Sequence, residues 1–293
     1  MIQILFESKP DRPKTQIVLT VDDVFLRNEW TDGIETVSSN KIRPEEDSDV
    51  LDMLELMDTN ATLFVCGIVA ELFPERLKEL ARRKFEIAAH GYRHENFRML
   101  TEPKQKRRIE LSVRLLENCI SKKVLGWRSP GLHTGITSYR MMKNSGIRWC
   151  SNIEVPLFFK HVPFQYHGMV ELPIALIDLK LYESRFSPAK VRQKLLTSLN
   201  QHHRIFTLVI HPWAQLREPE RLQAFRDFLE EARSREGVTF RNGSYVYEQF
   251  VSEGASAYGS ALSTVLGLWK RISPLIQGPV SKAHRRVSAR ISI

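Results

Sequence analysis

Cysteine is scarce in this chain: Cys66, Cys119 and Cys150 are the three among 293 residues, odd in number and widely spaced. That excludes a disulfide framework and a cysteine-rich zinc knuckle, and predicts reduced thiols with structural roles. Long apolar runs are missing as well, since none approaches the roughly 18 residues of a membrane span. Met1 to Gln16 has neither the uncharged core nor the small-residue cleavage site of a secretory signal. The expectation is a cytoplasmic protein, either free or peripheral to the inner face of a membrane. Internal repeats and low-complexity blocks are also lacking, which argues against a solenoid.

Acidic residues are the minority, 34 against 43 Lys and Arg, for a net charge of +9. The imbalance is local. Between Gly254 and Ile293 stand Lys270, Arg271, Lys282, Arg285, Arg286 and Arg290 and no acid. The same stretch sets Tyr258, Ala261, Leu262, Val265, Leu266, Trp269 and Ile272 on one helical face. Such a helix could lie on an anionic bilayer or close the fold and leave a basic end. The expected division is a catalytic domain over 1–252 and a basic amphipathic tail over 253–293.

What the chain has in quantity is alternation. Ile17 to Val21 reads as a fully buried strand, and 25–43 as a long polar loop. A helix follows over 44–57, a strand over 61–65, one or two helices around Pro74, and a strand over 85–89. The order continues with a helix over 102–120, with Leu111, Leu115 and Cys119 on one side. Then come a strand over 124–127, a helix over 138–144, and strands over 147–150 and 170–172. A helix over 188–202, a strand over 205–210, an amphipathic helix over 219–235 and a strand near 238–240 complete it. Repeated units of this kind imply an α/β fold on a parallel sheet, open or closed.

Four of these strands end in polar signals. Asp22 and Asp23 follow Val21; because neighbouring strand residues face opposite ways, they can share a site only where the strand stops and bends. One could then bind a cation while the other acts as a base, although a solvated turn or a helix N-cap would use the same pair. His90-Gly-Tyr-Arg-His94 spaces two imidazoles so that both can reach one ion from a helical turn or curled loop. No Glu lies between them, so the zinc-protease helix motif is absent. A third ligand must come from elsewhere, with Asp23 the best candidate. Arg128, at the end of Gly126-Trp127, carries a fork of donors that can hold a carboxylate, or it is a surface Arg beside a tight turn. His211 ends Leu208-Val-Ile and is suited to giving a proton near neutral pH, or it is a capping or core histidine.

Taken together, Thr20-Val-Asp22-Asp23, His90-Gly-Tyr-Arg-His94, Arg128-Ser-Pro and Leu208-Val-Ile-His211 resemble the polysaccharide deacetylases of the NodB-homology type. The resemblance spans about Ile17 to Phe250. It implies a distorted (β/α) barrel with one divalent metal held by Asp23, His90 and His94, Asp22 as base, Arg128 as its orienter and His211 as acid. It places Gly131 where the family often has an aromatic residue, so the amide that helps hold the oxyanion is kept and a side-chain wall is lost. The family's fourth, Asp-containing motif has two candidates here, Glu171-Leu-Pro173 and Asp178.

The implied reaction is metal-assisted removal of an N-acyl group, N-acetyl first, from an amino sugar in a glycan or a soluble or lipid-linked precursor. Two imidazoles and a carboxylate suit zinc first, and also cobalt, nickel, manganese or iron. Trp213, with Trp30, Tyr92, Phe97 and Trp127, is placed to stack on a sugar or to pack the core. Alternatives are deformylation of a lipid-linked amino sugar, hydrolysis of another amide such as a purine-breakdown intermediate, and an inactive barrel used as a basic binding module. Nucleic acid is not the expected partner.

Overall fold

The computed structural model describes residues 15–25, 44–57, 60–155, 161–183, 186–201 and 204–254, with the backbone alone over 44–48 and at 183. The expected loop over 25–43, apart from Phe25, lies outside the described residues, as do Trp30 within it and the tail helix over 258–272. The strands are β1 (Thr15–Asp22), β2 (Thr62–Val65), β3 (Glu86–Ala89), β4 (Gly126–Trp127), β5 (Trp149–Cys150), β6 (Phe164–Tyr166), β7 (Met169–Glu171), β8 (Leu176–Ile177), β9 (Ile205–Ile210) and β10 (Val238–Phe240). The helices are α1 (Pro44–Leu56), α2 (Gly67–Leu72), α3 (Pro74–Arg82), α4 (Glu102–Ile120), α5 (Ile136–Asn144), α6 (Asp178–Glu183), α7 (Pro188–Gln201), α8 (Pro212–Gln215), α9 (Pro219–Ser234) and α10 (Gly243–Glu253).

β1 is the central strand because it has no polar face. Ile17, Val18, Leu19 and Val21 are buried, each contributing about 1.5–3 kcal/mol of burial. It pairs in parallel with β9 on one edge; on the other its first half pairs with β10 and its last residues with β2. The sheet continues in parallel through β3, β4, β5 and β7, with β6 as an antiparallel flap on β7.

β7 and β8 are successive parts of one extended segment. Its start pairs with β5, Ile174 N donates to the Ile153 carbonyl, Ala175 N donates to the Thr207 carbonyl, and β8 pairs with β9. The path of the sheet therefore curls back towards β1 through Met169–Ile177 as an irregular (β/α) barrel. β4, β5 and β8 have two residues each, which is the source of the distortion.

Helix boundaries follow the breakers: Pro74 divides α2 from α3, and Pro188 and Pro219 start α7 and α9. The buried face of α4 is wider than the side marked by Leu111, Leu115 and Cys119. Gln105, Ile109, Ser112, Val113 and Leu116 are its buried positions, while Leu111, Leu115 and Cys119 are partly buried at its flank. β6, β8, α6, α8 and α10 have no counterpart in the sequence reading. They are short or, like α10, rely on a local cap in which Asn242 accepts from the Tyr245 amide. Because the main strands are parallel, the ends of β1, β3, β4, β8 and β9 open on one rim.

Candidate active site

β1 stops at Asp22, and Asp23 adopts a left-handed backbone (φ 58°), the bend that brings both carboxylates to one place. After β3 the chain curls rather than forming a helix. Gly91 (φ 75°) and His94 (φ 57°) are both left-handed, and this returns the second imidazole towards the first. His94 Nε2 lies 3.4 Å and His90 Nε2 3.7 Å from Asp23 Oδ1. One ligand atom from each of these three residues lies within 4.8 Å of the others.

The fit of a cation can be judged from two atoms. Asp23 Oδ1 is buried with no hydrogen-bond partner among the described residues, while Oδ2 accepts from Trp213 Nε1 at 3.4 Å. A buried carboxylate oxygen left without a donor is costly unless a positive charge meets it. His90 Nδ1 lies 2.9 Å from the Arg128 carbonyl, which can only accept, so Nδ1 carries the proton and Nε2 the lone pair. Burial pushes His90 down to about 3 against the pull of Asp23, with His94 and Arg128 adding to the depression. It is a neutral imidazole. Asp23, His90 and His94 therefore suit a divalent ion.

Asp22 is held separately. Arg128, fully buried, donates from Nη1 to Asp22 Oδ1 at 2.6 Å and to Thr20 Oγ1 at 2.8 Å. Its Nε and Nη2 donate to the carbonyl and hydroxyl of Ser151, and its guanidinium lies 4.1 Å above the Phe64 ring. One nitrogen of Arg128 thus reaches the Asp22 carboxylate while the other two bond Ser151, and no rotation is left to it. Asp22 Oδ2 faces His90 Nε2 at 3.9 Å, on the side of the ligand trio.

His211, at the end of β9, is paired with Asp178 at the end of β8. His211 Nδ1 is 2.7 Å from Asp178 Oδ1, and Asp178 Oδ2 accepts from the His211 amide and from Gln215 Nε2. Burial disfavours the imidazolium, but the Asp178 carboxylate outweighs it, and His211 is pushed up to about 9. It holds a proton at neutral pH.

Between the two candidates for the fourth motif the structure distinguishes by contact. Glu171 is fully buried and braces the chain after β5, accepting from the Asn152 and Ile153 amides and the Tyr139 hydroxyl. Asp178 alone reaches a site histidine. Leu176-Ile177-Asp178 repeats the signature of an apolar strand ended by an acid, in a strand too short to show a period. Thr20, Ser151 and Gln215 were also unmarked, being polar positions with no local pattern.

Gly131 sits in a 3-10 turn, Pro130–Leu132, with φ 56°. Its side is not open: a Cβ there would lie 2.9 Å from His133 Nδ1, so the His133 ring stands where a side-chain wall was expected to be missing. Tyr92, Phe97 and Trp127 are buried packing residues. Trp213, half-buried beside His211, orients Asp23. Cys66 is a neutral core thiol: burial first, then Asp23 and Glu95, push it up, and it donates to the His90 carbonyl at 3.0 Å.

The polysaccharide deacetylase family model matches residues 9–149, the part that holds Asp22, Asp23, His90, His94 and Arg128. No curated protein matches the chain. Among solved structures, a "putative polysaccharide deacetylase" from Mycobacterium smegmatis is 22% identical with a TM-score of 0.66, over 84% of this chain and 93% of that one. PuuE allantoinase is 17% identical with a TM-score of 0.66, over 87% and 98%. BA3943 from Bacillus anthracis, described as a CE4 family pseudoenzyme, is 14% identical with a TM-score of 0.54, over 81% and 66%. The likenesses establish the fold, and the family match falls on the residues that build the site. The family match over residues 9–149 covers just under half of the chain, and members of that family are hydrolases acting on carbon–nitrogen bonds other than peptide bonds.

Proposed function

We propose that this chain is a metal-dependent hydrolase that removes an N-acyl group, N-acetyl first, from an amino sugar of a glycan or glycan precursor. The observation that carries the reading is the division of labour around Asp23, His90 and His94. Asp22 is fixed by Arg128 and His211 by Asp178, so two proton-handling groups are held independently at one ligand set.

A divalent ion held by Asp23, His90 and His94 would supply Lewis-acid polarisation of the acyl carbonyl and a more acidic water. Asp22 takes the proton of the attacking water through Oδ2, its other oxygen being tied to Arg128. The water oxygen bonds to the acyl carbon, and the Gly131 amide donates to the developing oxyanion in this reading. As the carbon–nitrogen bond breaks, His211 gives its Nε2 proton to the departing nitrogen, with Asp178 holding Nδ1. The products are a carboxylic acid and a free amino sugar. Zinc is the first choice of ion for two imidazoles and a carboxylate.

On the expectation of a cytoplasmic location, the substrate class is a soluble or lipid-linked precursor. The deciding experiment is a screen of N-acetyl and N-formyl amino sugars, free and nucleotide- or lipid-linked, with cyclic ureides alongside, read by released acetate, formate or ureide product with metal added. Acetate from an amino sugar supports the reading. Turnover of ureides alone, or stoichiometric metal with no turnover of any of these, overturns it.

A further inference from the structure

Among the described residues the two most exposed large apolar side chains are Met99, 79% exposed, and Ile136, 65% exposed. Both lie on loops that leave strand ends bearing site residues: Met99 follows His94 between β3 and α4, and Ile136 follows Arg128 at the start of α5. The loops are joined by one buried side chain. Gln105 donates from Nε2 to the Leu100 carbonyl at 2.8 Å and accepts through Oε1 from Ser138 Oγ at 2.7 Å. Phe97, two residues before Met99, is buried edge-on against Trp127, 5.5 Å between ring centres. Met99 and Ile136 thus stand exposed on two segments stapled to one another, each continuing from a strand end that bears site residues.

The charge of the two segments is one-sided. Segments 96–107 and 131–143 carry Arg98, Lys104, Lys106, Arg107, Arg140 and Lys143 against one acid, Glu102. All six bases are exposed, and Lys106 alone of them lies within 4 Å of an acid among the described residues, 3.8 Å from Glu110. A polyanion would neutralise the bases and leave Met99 and Ile136 in water. An anionic bilayer accommodates both, with apolar tips entering the acyl boundary and bases meeting headgroups.

We propose that the lip formed by Arg98, Met99, Ile136 and the first turns of α4 and α5 seats on an anionic lipid surface, opening the site towards an acylated amino sugar carried on a lipid. The substrate part rests on the proposed function; the docking part does not.

The test is co-sedimentation of the full chain with vesicles of phosphatidylcholine alone and of phosphatidylcholine with phosphatidylglycerol. Unaltered protein is expected to bind the anionic vesicles and to lose binding as salt rises. Each Lys or Arg near such a surface is worth about fivefold in partition. Met99→Ser with Ile136→Ser, which removes the apolar tips without adding charge, and separately Gln at positions 98, 104, 107 and 140, should each lower partition by about tenfold or more, with thermal unfolding unchanged. The proposal is overturned if unaltered protein ignores anionic vesicles, if both variants bind like it, or if the apolar variant alone keeps full binding, the mark of a polyanion site. The assay reads no turnover, so failure on every acylated sugar removes the function and leaves this result standing.

Discussion

The main-chain carbonyl of Arg128 lies 2.9 Å from His90 Nδ1, while the side chain of the same residue holds Asp22 at 2.6 Å. One residue at the end of β4 thus sets the tautomer of a candidate ligand and the position of the candidate base. The two tasks are separable, because substitution changes the side chain and leaves the carbonyl.

Arg128→Met should therefore keep metal binding and lose turnover by about 10²–10⁴-fold, the range of a misplaced general base. It also leaves Asp22 buried without its cation, so stability should fall by about 3–5 kcal/mol. Urea unfolding beside metal analysis checks both. Loss of metal with full stability would mean that the guanidinium serves the ligands instead.

Asp22→Asn is nearly isosteric and keeps an acceptor for Arg128, so metal content should be unchanged while turnover drops by about 10²-fold or more. Asp23→Asn should instead release the metal. For the unaltered protein, metal at about a hundredfold over its dissociation constant should add about 2.7 kcal/mol of stability. A chelator would reverse this. Equal metal retention by the two variants would contradict the separation of base and ligand.

His211 is raised from 6.5 to about 9 in the fold. Its pairing with Asp178 therefore contributes stability that is fully present below pH 6.5 and lost as pH rises through about 9. As the candidate acid it must be protonated, so turnover should fall on the alkaline side. Asp178→Asn removes the carboxylate and leaves burial, which lowers the pKa, so the alkaline limb should move towards neutral pH. A pH–rate profile whose alkaline limb is unmoved in this variant removes His211 from the acid role.

Gly91 has φ 75°, and a Cβ there would lie 3.0 Å from Pro130 Cγ. Gly91→Ala should cost about 1 kcal/mol or more in backbone strain and disturb the curl that returns His94 to His90. The expected readout is metal affinity weakened by about tenfold in a folded protein, measured by titration calorimetry. Unchanged affinity would show that the loop holds its ligands without the left-handed turn.

Much of the site was legible because its parts sit where apolar runs end. Asp22, Asp23, His90, Arg128 and His211 each terminate or directly follow a strand, and parallel strands carry such residues to one rim. Glu171 against Asp178 was not decidable, since both follow short apolar stretches. The full buried set of α4 was not legible because it includes Gln105 and Ser112, polar residues kept inside by hydrogen bonds to Leu100 and Gly91.

By itself the chain determined the β/α alternation, the lack of a disulfide frame and the kinds of chemical group available, because periodicity, breakers and strand-end residues are local properties. Tertiary structure alone decided that Asp178 serves His211, that Ser151 and Thr20 lock Arg128, that His133 fills the space beside Gly131, and that Asp23 Oδ1 is buried with no donor among the described residues. Those outcomes depend on register between strands far apart in the chain and on which buried polar atoms find partners, and no local pattern encodes either.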